Sequence, residues 1–384
     1  MRPLIFLLIV FMNEPFSGKS QGNEITIAVP FLRIAPDARA AGMGDAGLAL
    51  NADATSIFWN TAKVSLSHKQ FDIGGSFTSW LHNSGENVVL ESVTGFVRIG
   101  EQHGIAFALR RFNSGNLSFL TSTEDNYSGF LESDYCFDAG YSIKLAKYLA
   151  AGINLGFVHS NLVKAQPSEY SMIKTGRALK GDISFFYHHP MNFLRKKKSG
   201  YNIGVTISNI GNKVSYPGNL VRENFLPANL GLAGEITFRF SEHHRLNFNL
   251  DFNKLLVPSP DTSLNYQSES VAQGIFSSFK DAPGGFNEEV REVTMSCGTE
   301  YSYRDIFFLR GGFFSESKTM GGLQYLTGGF GIGYRVFSLN FSYLFSTASV
   351  KTALDNTMRI SVNFYFDKKG RQQRYINATE CPEW

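Results

Sequence analysis

The chain has 384 residues, a formal net charge of +3 and an aromatic content of 14%, with 35 phenylalanines and 37 glycines. This nearly balanced charge gives no indication of a basic nucleic-acid-binding face or of an acidic tail for a cationic partner. The phenylalanine content exceeds what an ordinary soluble core needs, whereas membrane barrels place aromatic residues in outer girdles. Cys136, Cys297 and Cys381 form neither an even disulfide framework nor a CxxC pair, so they indicate no metal or redox site.

The N-terminus has the features of an export signal. Arg2 precedes an apolar run from Leu4 to Met12, and the polar stretch that follows has small residues near Ser20. We therefore predict that residues 1–20 are a signal peptide. No other run approaches the roughly 18 uninterrupted apolar residues of a transmembrane helix. Any membrane span of the exported protein is predicted to consist of strands.

Residues 21–70 do not resemble strands and are rich in small residues. Gly42, Gly44 and Gly47 form a formal GxGxxG pattern, but residues 36–39 (PDAR) precede it where a dinucleotide site needs an apolar strand. No βαβ unit follows either. We interpret these glycines as sites of close backbone packing or positive φ, which a segment folded inside a crowded lumen requires. The segment is therefore predicted to be a lumenal plug.

Fourteen stretches between residues 71 and 366 alternate apolar and polar residues with a period of two. In the clearest, Phe337–Phe345, the phenylalanines face one side while Ser338, Asn340 and Ser342 face the other. Lipid outside and water inside a barrel produce this pattern, and the even count is that of bacterial barrels. The fold class is thus predicted to be all-β, a 14-stranded antiparallel transmembrane outer-membrane barrel over residues 71–366. The predicted strands are Phe71–Thr78, Val88–Ile99, Gly104–Phe112, Tyr135–Lys144, Leu149–Val158, Leu179–Tyr187, Tyr201–Ser208, Asn229–Phe238, His244–Asp251, Val293–Tyr301, Ile306–Phe314, Tyr325–Tyr334, Phe337–Phe345 and Met358–Phe366.

The connections between these strands alternate between short and long. Short turns of such barrels face the periplasm and long loops face outward, so both termini are expected on the periplasmic side. Two elements fit the pattern poorly: Ile306–Phe314 alternates weakly, and His188–Gly200 is a long turn for a short-turn position. The polar residues 367–384 are predicted to be a periplasmic tail, because Phe366 has the position of the terminal strand's aromatic residue.

The longest loop follows the ninth predicted strand and runs from Phe252 to Glu292. A loop of this length in a compact barrel is usually functional or disordered. Residues 268–280 place four apolar side chains on roughly one helical face, which predicts either a partner contact or a lid folded onto the barrel mouth. We predict that the partner-binding residues of this loop are Leu256, Val257, Pro258, Val271, Ile275, Phe276 and Phe279.

Five sequence blocks carry a family resemblance. They are residues 37–47 (DARAAGMGDAG), 53–63 (DATSIFWNTAK), 208–216 (SNIGNKVSY), 225–230 (FLPANL) and 251–260 (DFNKLLVPSP). In this order they resemble the PorV family, outer-membrane components of the type IX secretion system of Bacteroidetes, over about residues 31–366. The resemblance implies a FadL-like barrel with an N-terminal hatch in its lumen, formed with Arg39, Gly42, Gly44, Asp45, Gly47 and Asn60. One departure is Thr61, which stands where the family usually has proline and leaves the local turn less fixed.

The function that the resemblance implies is binding rather than catalysis. It implies a protein of the Gram-negative outer membrane that binds a Sov/SprA-like translocon subunit and accepts the C-terminal signal domains of secreted cargo. It then hands this cargo to an attachment complex that contains a PorU-like sortase. We expect no nucleic-acid partner, no cofactor, no metal site and no catalytic residue.

Two other function classes remain open from the residues. A FadL-like transporter of hydrophobic compounds needs a gap beside a kinked strand, which the glycine-rich stretch Thr327–Gly333 could supply, although glycine is also common where strands bend. A hydrolase needs a serine, a histidine and an orienting group within reach. His159 and Ser160 are only sequence neighbours on a strand, where adjacent side chains point to opposite faces.

Overall fold

The computed structural model of the protein describes residues 25, 27–80, 88–113, 133–162, 174–191, 199–215, 223–259, 268–282, 285–317, 321–347 and 356–367. The predicted signal peptide, almost all of the C-terminal tail and Cys381 lie outside these residues, so the domain boundaries stay predictions.

Fourteen antiparallel strands form one closed barrel in which each strand pairs with its sequence neighbours and β1 pairs with β14. The predicted fold class and closure are confirmed, since Phe71 pairs with Phe366 and Phe77 with Ile360. The strands are β1 Lys69–Trp80, β2 Val88–Ile99, β3 His103–Asn113, β4 Ser133–Ala146, β5 Leu149–Leu162, β6 Lys174–Met191, β7 Ser199–Gly211, β8 Asn229–Arg239, β9 His244–Leu255, β10 Val293–Tyr303, β11 Phe307–Ser315, β12 Gln324–Tyr334, β13 Phe337–Ser346 and β14 Met358–Asp367.

The largest difference from the predicted strands lies between β6 and β7. The predicted turn His188–Gly200 is wrong at both ends, because β6 continues to Met191 and β7 begins at Ser199. His188 is therefore a strand residue, and its Nδ1 lies 2.6 Å from the Oδ1 of Asn202 across the β6–β7 pair. Proline near the end of a strand costs few ladder hydrogen bonds, so Pro190 does not stop β6.

In the structure, the apolar residues of the alternating stretches face outward and the polar residues face the lumen. Leu155, Leu179 and Leu309 point outward with exposed fractions of 72%, 67% and 65%. Asn154 and Lys180, one position away from two of them, are buried. In water such an exposed apolar band would be costly, whereas lipid accommodates it.

The two ends of the barrel differ in the length of their connections. At the short-turn end, strands are joined by connections such as Lys147–Tyr148 and Arg335–Val336. An outward cluster of Tyr187, His189 and Tyr201 lies there, with ring centroids 5.6 to 6.1 Å apart. Aromatic rings with polar atoms are typical of the lipid–water boundary. The long-loop end carries the connections between β7 and β8 and between β9 and β10.

The described residues include six short helices that are not part of the barrel wall. The N-terminal segment (residues 27–68) contains a 3₁₀ helix Pro30–Arg33, α1 Ala38–Ala41, α2 Ser56–Trp59 and a second 3₁₀ helix Thr61–Leu66. The β9–β10 loop (residues 256–292) contains α3 Val271–Ser277 and α4 Phe286–Arg291. None of the helices in the described part of the chain is long and apolar enough to cross a membrane.

Candidate functional site: the N-terminal segment and the β9–β10 loop

The N-terminal segment runs through the barrel from the long-loop end to the short-turn end. The backbone N–H of Ala28 donates to the carbonyl of Phe225 (2.8 Å), which lies in the β7–β8 connection at the long-loop end. At the other end, a Cβ added to Gly104 would lie 2.5 Å from the side chain of Val64. The second 3₁₀ helix contacts β3 to β6 and α1 contacts β12 to β14, so strands surround the segment. The first described residues therefore lie at the long-loop end, whereas the termini themselves, which we predicted on the short-turn side, lie outside the described residues.

Glycines allow the segment to touch the barrel wall directly. Gly44 has a φ of +71°, a conformation that other residues rarely adopt. A Cβ added to Gly312 in β11 would lie 2.1 Å from the backbone nitrogen of Gly44, and one added to Gly42 would lie 3.3 Å from the Cα of Gly329 in β12. The GxGxxG pattern therefore serves close backbone packing.

Asp45 and Gly47 also have defined partners. Asp45 accepts a hydrogen bond of 2.6 Å from the hydroxyl of Tyr325 in β12. A Cβ added to Gly47 would lie 2.2 Å from the ring of Trp59, so the indole packs flat against this glycine. The Tyr325 hydrogen bond fixes the segment to the wall, and the Trp59 contact packs two parts of the segment against each other.

Asn60 begins the second 3₁₀ helix, and Thr61 has a role that proline could not have. The carboxamide oxygen of Asn60 accepts from the N–H of Ala62 (3.1 Å), while its nitrogen donates to the carbonyl of Phe185 in β6 (3.0 Å). The hydroxyl of Thr61 donates to the Oδ1 of Asn154 in β5 (2.6 Å). Side-chain hydrogen bonds thus fix the turn despite the departure from the family pattern.

Arg39 links the segment to the wall through a buried ion network. Its guanidinium lies 3.0 Å from the carboxylate of Asp53 and 3.3 Å from that of Glu300 in β10. Glu300 also accepts from Arg310 at 2.8 Å. Burial raises the pKa of the Asp53 carboxyl, but the charge of Arg39 and two lysines outweighs burial and the pKa is lowered. The network therefore keeps Asp53 ionised inside the barrel.

Two residues of the segment and one of the wall, none of which was among the predicted site residues, also hold the segment in place. Asp37 accepts from the indole N–H of Trp59 at 2.7 Å and caps α1. Lys63 donates to the carbonyl of Gly47 at 3.0 Å, and burial lowers the pKa of Lys63 to about 8. Asp251 in β9 accepts from a backbone N–H of the segment at 2.9 Å. The sequence did contain signals for these residues. All of them lie in the blocks that carry the family resemblance, and Asp37 precedes an alanine-rich stretch, which is typical of a helix N-cap.

A cavity of about 530 Å³ lies between the segment and the long-loop end. Leu48, Phe58 and Trp59 of the segment contribute apolar lining, and the barrel wall contributes ion pairs. Asp138 lies 3.1 Å from Arg110 and 2.8 Å from Lys180. Basic and acidic side chains line the cavity in equal numbers, so it has no preference for an ion of either sign.

The structure separates the predicted loop residues into a buried base and an exposed surface. Leu256, Val257 and Pro258 are buried, so they offer no side chain to a partner. Val271 packs on a cluster that contains Val257, and Ile275 is half-buried. The exposed surface consists of Phe276, Phe279, Phe286 and Val290, with exposed fractions of 77%, 44%, 80% and 54%.

Helix α4, which supplies Phe286 and Val290, was not predicted. Its sequence, FNEEVR, is polar and too short to show a helical period. Sequence reasoning therefore found only half of the exposed apolar surface of this loop.

Three carboxylates at the base of the same loop come close together. Oxygens of Asp281, Glu289 and Glu292 lie within 4.8 Å of one another. The ammonium of Lys254 lies 2.9 Å from Glu289 and 2.5 Å from Glu292, so a lysine already supplies a positive charge there. Burial raises the pKa of the Asp281 carboxyl. The cluster is an internal ion network that ties α4 to β9.

The hydrolase interpretation gains no geometric support. Ser160 is buried on the lumen side of β5, while His159 points to the opposite face. Side chains on opposite faces of a strand cannot share a proton directly, so these two cannot form a nucleophile–base pair.

Comparison with solved structures shows similarity to FadL-like barrels. The CymD monoaromatic hydrocarbon channel is 14% identical, with a TM-score of 0.50 over 87% of this chain and 98% of that one. The Pseudomonas putida toluene transporter TodX is 13% identical, with a TM-score of 0.49 over 86% of this chain and 97% of that one. A Pseudomonas aeruginosa FadL homologue is 12% identical, with a TM-score of 0.42 over 86% and 99%. At these identities the CymD similarity shows the fold alone.

The sequence comparison gives the family. No curated protein matches the chain. Residues 17–262, more than half of the chain, match the family described as "Type IX secretion system protein PorV". This family and the FadL-like fold are non-enzymatic kinds of protein, and both are found in the outer membrane of Gram-negative bacteria. The chain therefore belongs to the PorV family of type IX secretion system proteins.

Proposed function

We propose that this protein docks a Sov/SprA-like translocon subunit and secreted cargo on the cell-surface side of the outer membrane. It accepts cargo through the cargo's C-terminal signal domain and passes it to an attachment complex with a PorU-like sortase. The long-loop end faces outward in this proposal, because long loops of outer-membrane barrels are extracellular. Membership of the PorV family supports an association with type IX secretion components.

The observation that carries the proposal is the exposed apolar surface of α3 and α4. Phe276 and Phe286 are 77% and 80% exposed, and both lie in the β9–β10 loop at the long-loop end. Exposed aromatic side chains on an extramembrane loop are typical of protein docking sites, where aromatic residues supply much of the binding energy. Lys280 and Arg291 add an exposed polar rim.

The packed lumen supports docking rather than conduction. The N-terminal segment is held by the Arg39 network, by the Asn60 and Thr61 hydrogen bonds, and by direct contact with wall glycines. A solute that crossed the barrel would have to displace this segment against all of these contacts. We therefore propose that it acts as a plug that closes the lumen.

The alternative function is that of a FadL-like transporter of hydrophobic compounds, and the cavity favours it. A volume of about 530 Å³ with aromatic lining is large enough for a small apolar molecule. A lateral exit at the glycine-rich stretch of β12 lacks support, because Gly329 pairs with Arg310 in β11 and with Ser342 in β13 without a register break. The glycine there accommodates Gly42 of the plug instead.

The test is a triple variant, Phe276→Ser, Phe279→Ser and Phe286→Ser, expressed in place of the wild-type protein. Each truncated phenylalanine removes about 1.5 to 3 kcal/mol of apolar burial from a docked complex, so we expect at least tenfold less co-purified translocon and less surface cargo. The matched control, Ala272→Ser with Asn287→Ser, changes exposed positions of the same helices and should retain both.

Wild-type recovery of the translocon by the triple variant, with normal amounts of inserted barrel, contradicts docking on α3 and α4. Deletion of the protein distinguishes the two functions. If secretion continues while uptake of an aromatic hydrocarbon stops, the transporter function is correct.

A further inference from the structure

The first described residues of the chain pack beneath the proposed docking helix α3. Ile25 and Ile27 contact a hydrophobic cluster of Phe225, Leu255 and Val257 at the long-loop end. The Ala28–Phe225 backbone hydrogen bond adjoins this contact. We call residues 27–34, together with Ile25, the strap.

Helix α3 rests on the same cluster. Val271, its first residue, packs against the cluster. A Cβ added to Gly274 would lie 2.9 Å from the ring of Phe225 and 3.1 Å from Pro258, so the helix backbone lies directly on these side chains. Strap, β7–β8 connection and β9–β10 loop therefore share one small core.

Helix α3 depends on this core for its position. It has seven residues and a capping box between Ser270 and Gln273. Helices this short are not stable in water without tertiary contacts, because nucleation costs more than the few hydrogen bonds return. Its first residue, Val271, packs on the same cluster as the strap residues Ile25 and Ile27.

The strap itself is fixed to the barrel wall. Val29, Phe31 and Leu32 are buried in a cluster with wall residues that include Leu90 and Val158. The Phe31 ring also stacks on Phe112 in β3, with centroids 5.6 Å apart. The strap is therefore a fixed support and not a mobile tail.

We propose that Ile25 and Ile27 are positioning residues for the docking helix: they complete the core that holds α3 and thereby set the orientation of Phe276 and Phe279 towards a partner. The importance of this orientation rests on the proposed function, while the support itself does not. Because α3 receives this support from the N-terminal strap, the first described residues control a surface that is about 250 positions away in the sequence.

The experiment compares Ile25→Ser with Ile27→Ser against the conservative pair Ile25→Val with Ile27→Val, in detergent-purified full-length protein. Hydrogen exchange is measured by mass spectrometry on peptides that cover α3 and, as an internal reference, the second 3₁₀ helix. We expect the α3 amides of the serine pair to exchange about tenfold faster or more, with the reference unchanged and the valine pair like wild type. Equal α3 exchange in the serine pair and wild type would overturn the inference.

If the serine pair does not insert, the single variant Ile27→Ala replaces it, with the same expected direction. A co-purification assay separates this inference from the proposed function. Faster α3 exchange with loss of the translocon supports both. Faster α3 exchange with full translocon recovery confirms the positioning role and contradicts docking on α3.

Discussion

The N-terminal segment and the β9–β10 loop are both attached to one barrel but expose their side chains in opposite ways. In the segment, Arg39 is largely enclosed beside Glu300 of β10, and Asn60 is buried and donates to Phe185 of β6. In the loop, Phe276 and Phe286 extend into solvent with nothing in the described chain packed over them. Buried polar groups need hydrogen-bond partners within the folded chain. Exposed aromatic groups contribute stabilising free energy only when they are buried against a binding partner. The N-terminal segment thus places its polar groups within the lumen, whereas the β9–β10 loop leaves its aromatic side chains exposed.

The strongest test of the buried region is Arg39→Ala. This change leaves Asp53 without its arginine while Glu300 keeps Arg310 at 2.8 Å, so we expect a loss at or below the cost of breaking a buried pair, about 3 to 5 kcal/mol. We expect the urea midpoint for release of the segment to fall accordingly, measured by Trp59 fluorescence in a background without the other tryptophans. Arg33→Ala is the control, because its pair with Glu316 is 3.7 Å long and Arg33 is 39% exposed. That control should change stability by less than about 1 kcal/mol.

A smaller effect is expected from Gly312→Ala. The added methyl group would collide with Met43 and Gly44, and overpacking of this kind costs about 1 to 3 kcal/mol. The adjacent Gly311→Ala has no atom closer than 4.0 Å and should be nearly neutral. The same fluorescence assay compares the two, and equal midpoints would mean that the segment does not press on β11.

The junction between the segment and β1 should depend on pH through His68. Burial, with contributions from His188 and Arg98, lowers the pKa of His68 to about 4. The unfolded histidine binds its proton below about pH 6.5, so native stability is complete above that pH and falls by about 1.4 kcal/mol per unit between pH 6.5 and 4. Hydrogen exchange of the second 3₁₀ helix should therefore accelerate from pH 6.5 to 5.5 beyond its intrinsic pH dependence. His68→Asn should remove this additional acceleration, and its persistence in that variant would assign the effect to another group.

The smallest expected effect on stability comes from serine substitutions of the exposed loop phenylalanines. Phe276→Ser and Phe286→Ser should each change the free energy of unfolding by no more than about 0.5 kcal/mol, because exposed side chains contribute little to the folded state. Urea unfolding of the barrel, followed by heat-modifiable gel mobility, measures this. A loss above 2 kcal/mol for either variant would show that the loop is part of the folded core and not a free surface.

Alternation was sufficient to predict all fourteen strands, because lipid and water select side chains directly at every second position. Strand ends were less predictable: β6 reaches beyond His188, where alternation continues into residues that look like turn residues. The partners within the lumen could not be predicted. Arg39 contacts Glu300 because the pairing registers of the intervening strands together bring Glu300 to this position. No local sequence pattern encodes the combined register of so many strands.

The path of the N-terminal segment constrains the order of assembly. The N–H of Ala38 donates to the hydroxyl of Ser361, 323 positions later in the chain. Contacts of such sequence separation form late, since a long loop must close before they give any stabilisation. The segment precedes β1 and contacts strands around the barrel, so placing it between them before the β1–β14 seam closes avoids threading it into a closed barrel. Until then β1 and β14 are unpaired edges that can join other chains, which makes capture of the segment a kinetic checkpoint in biogenesis.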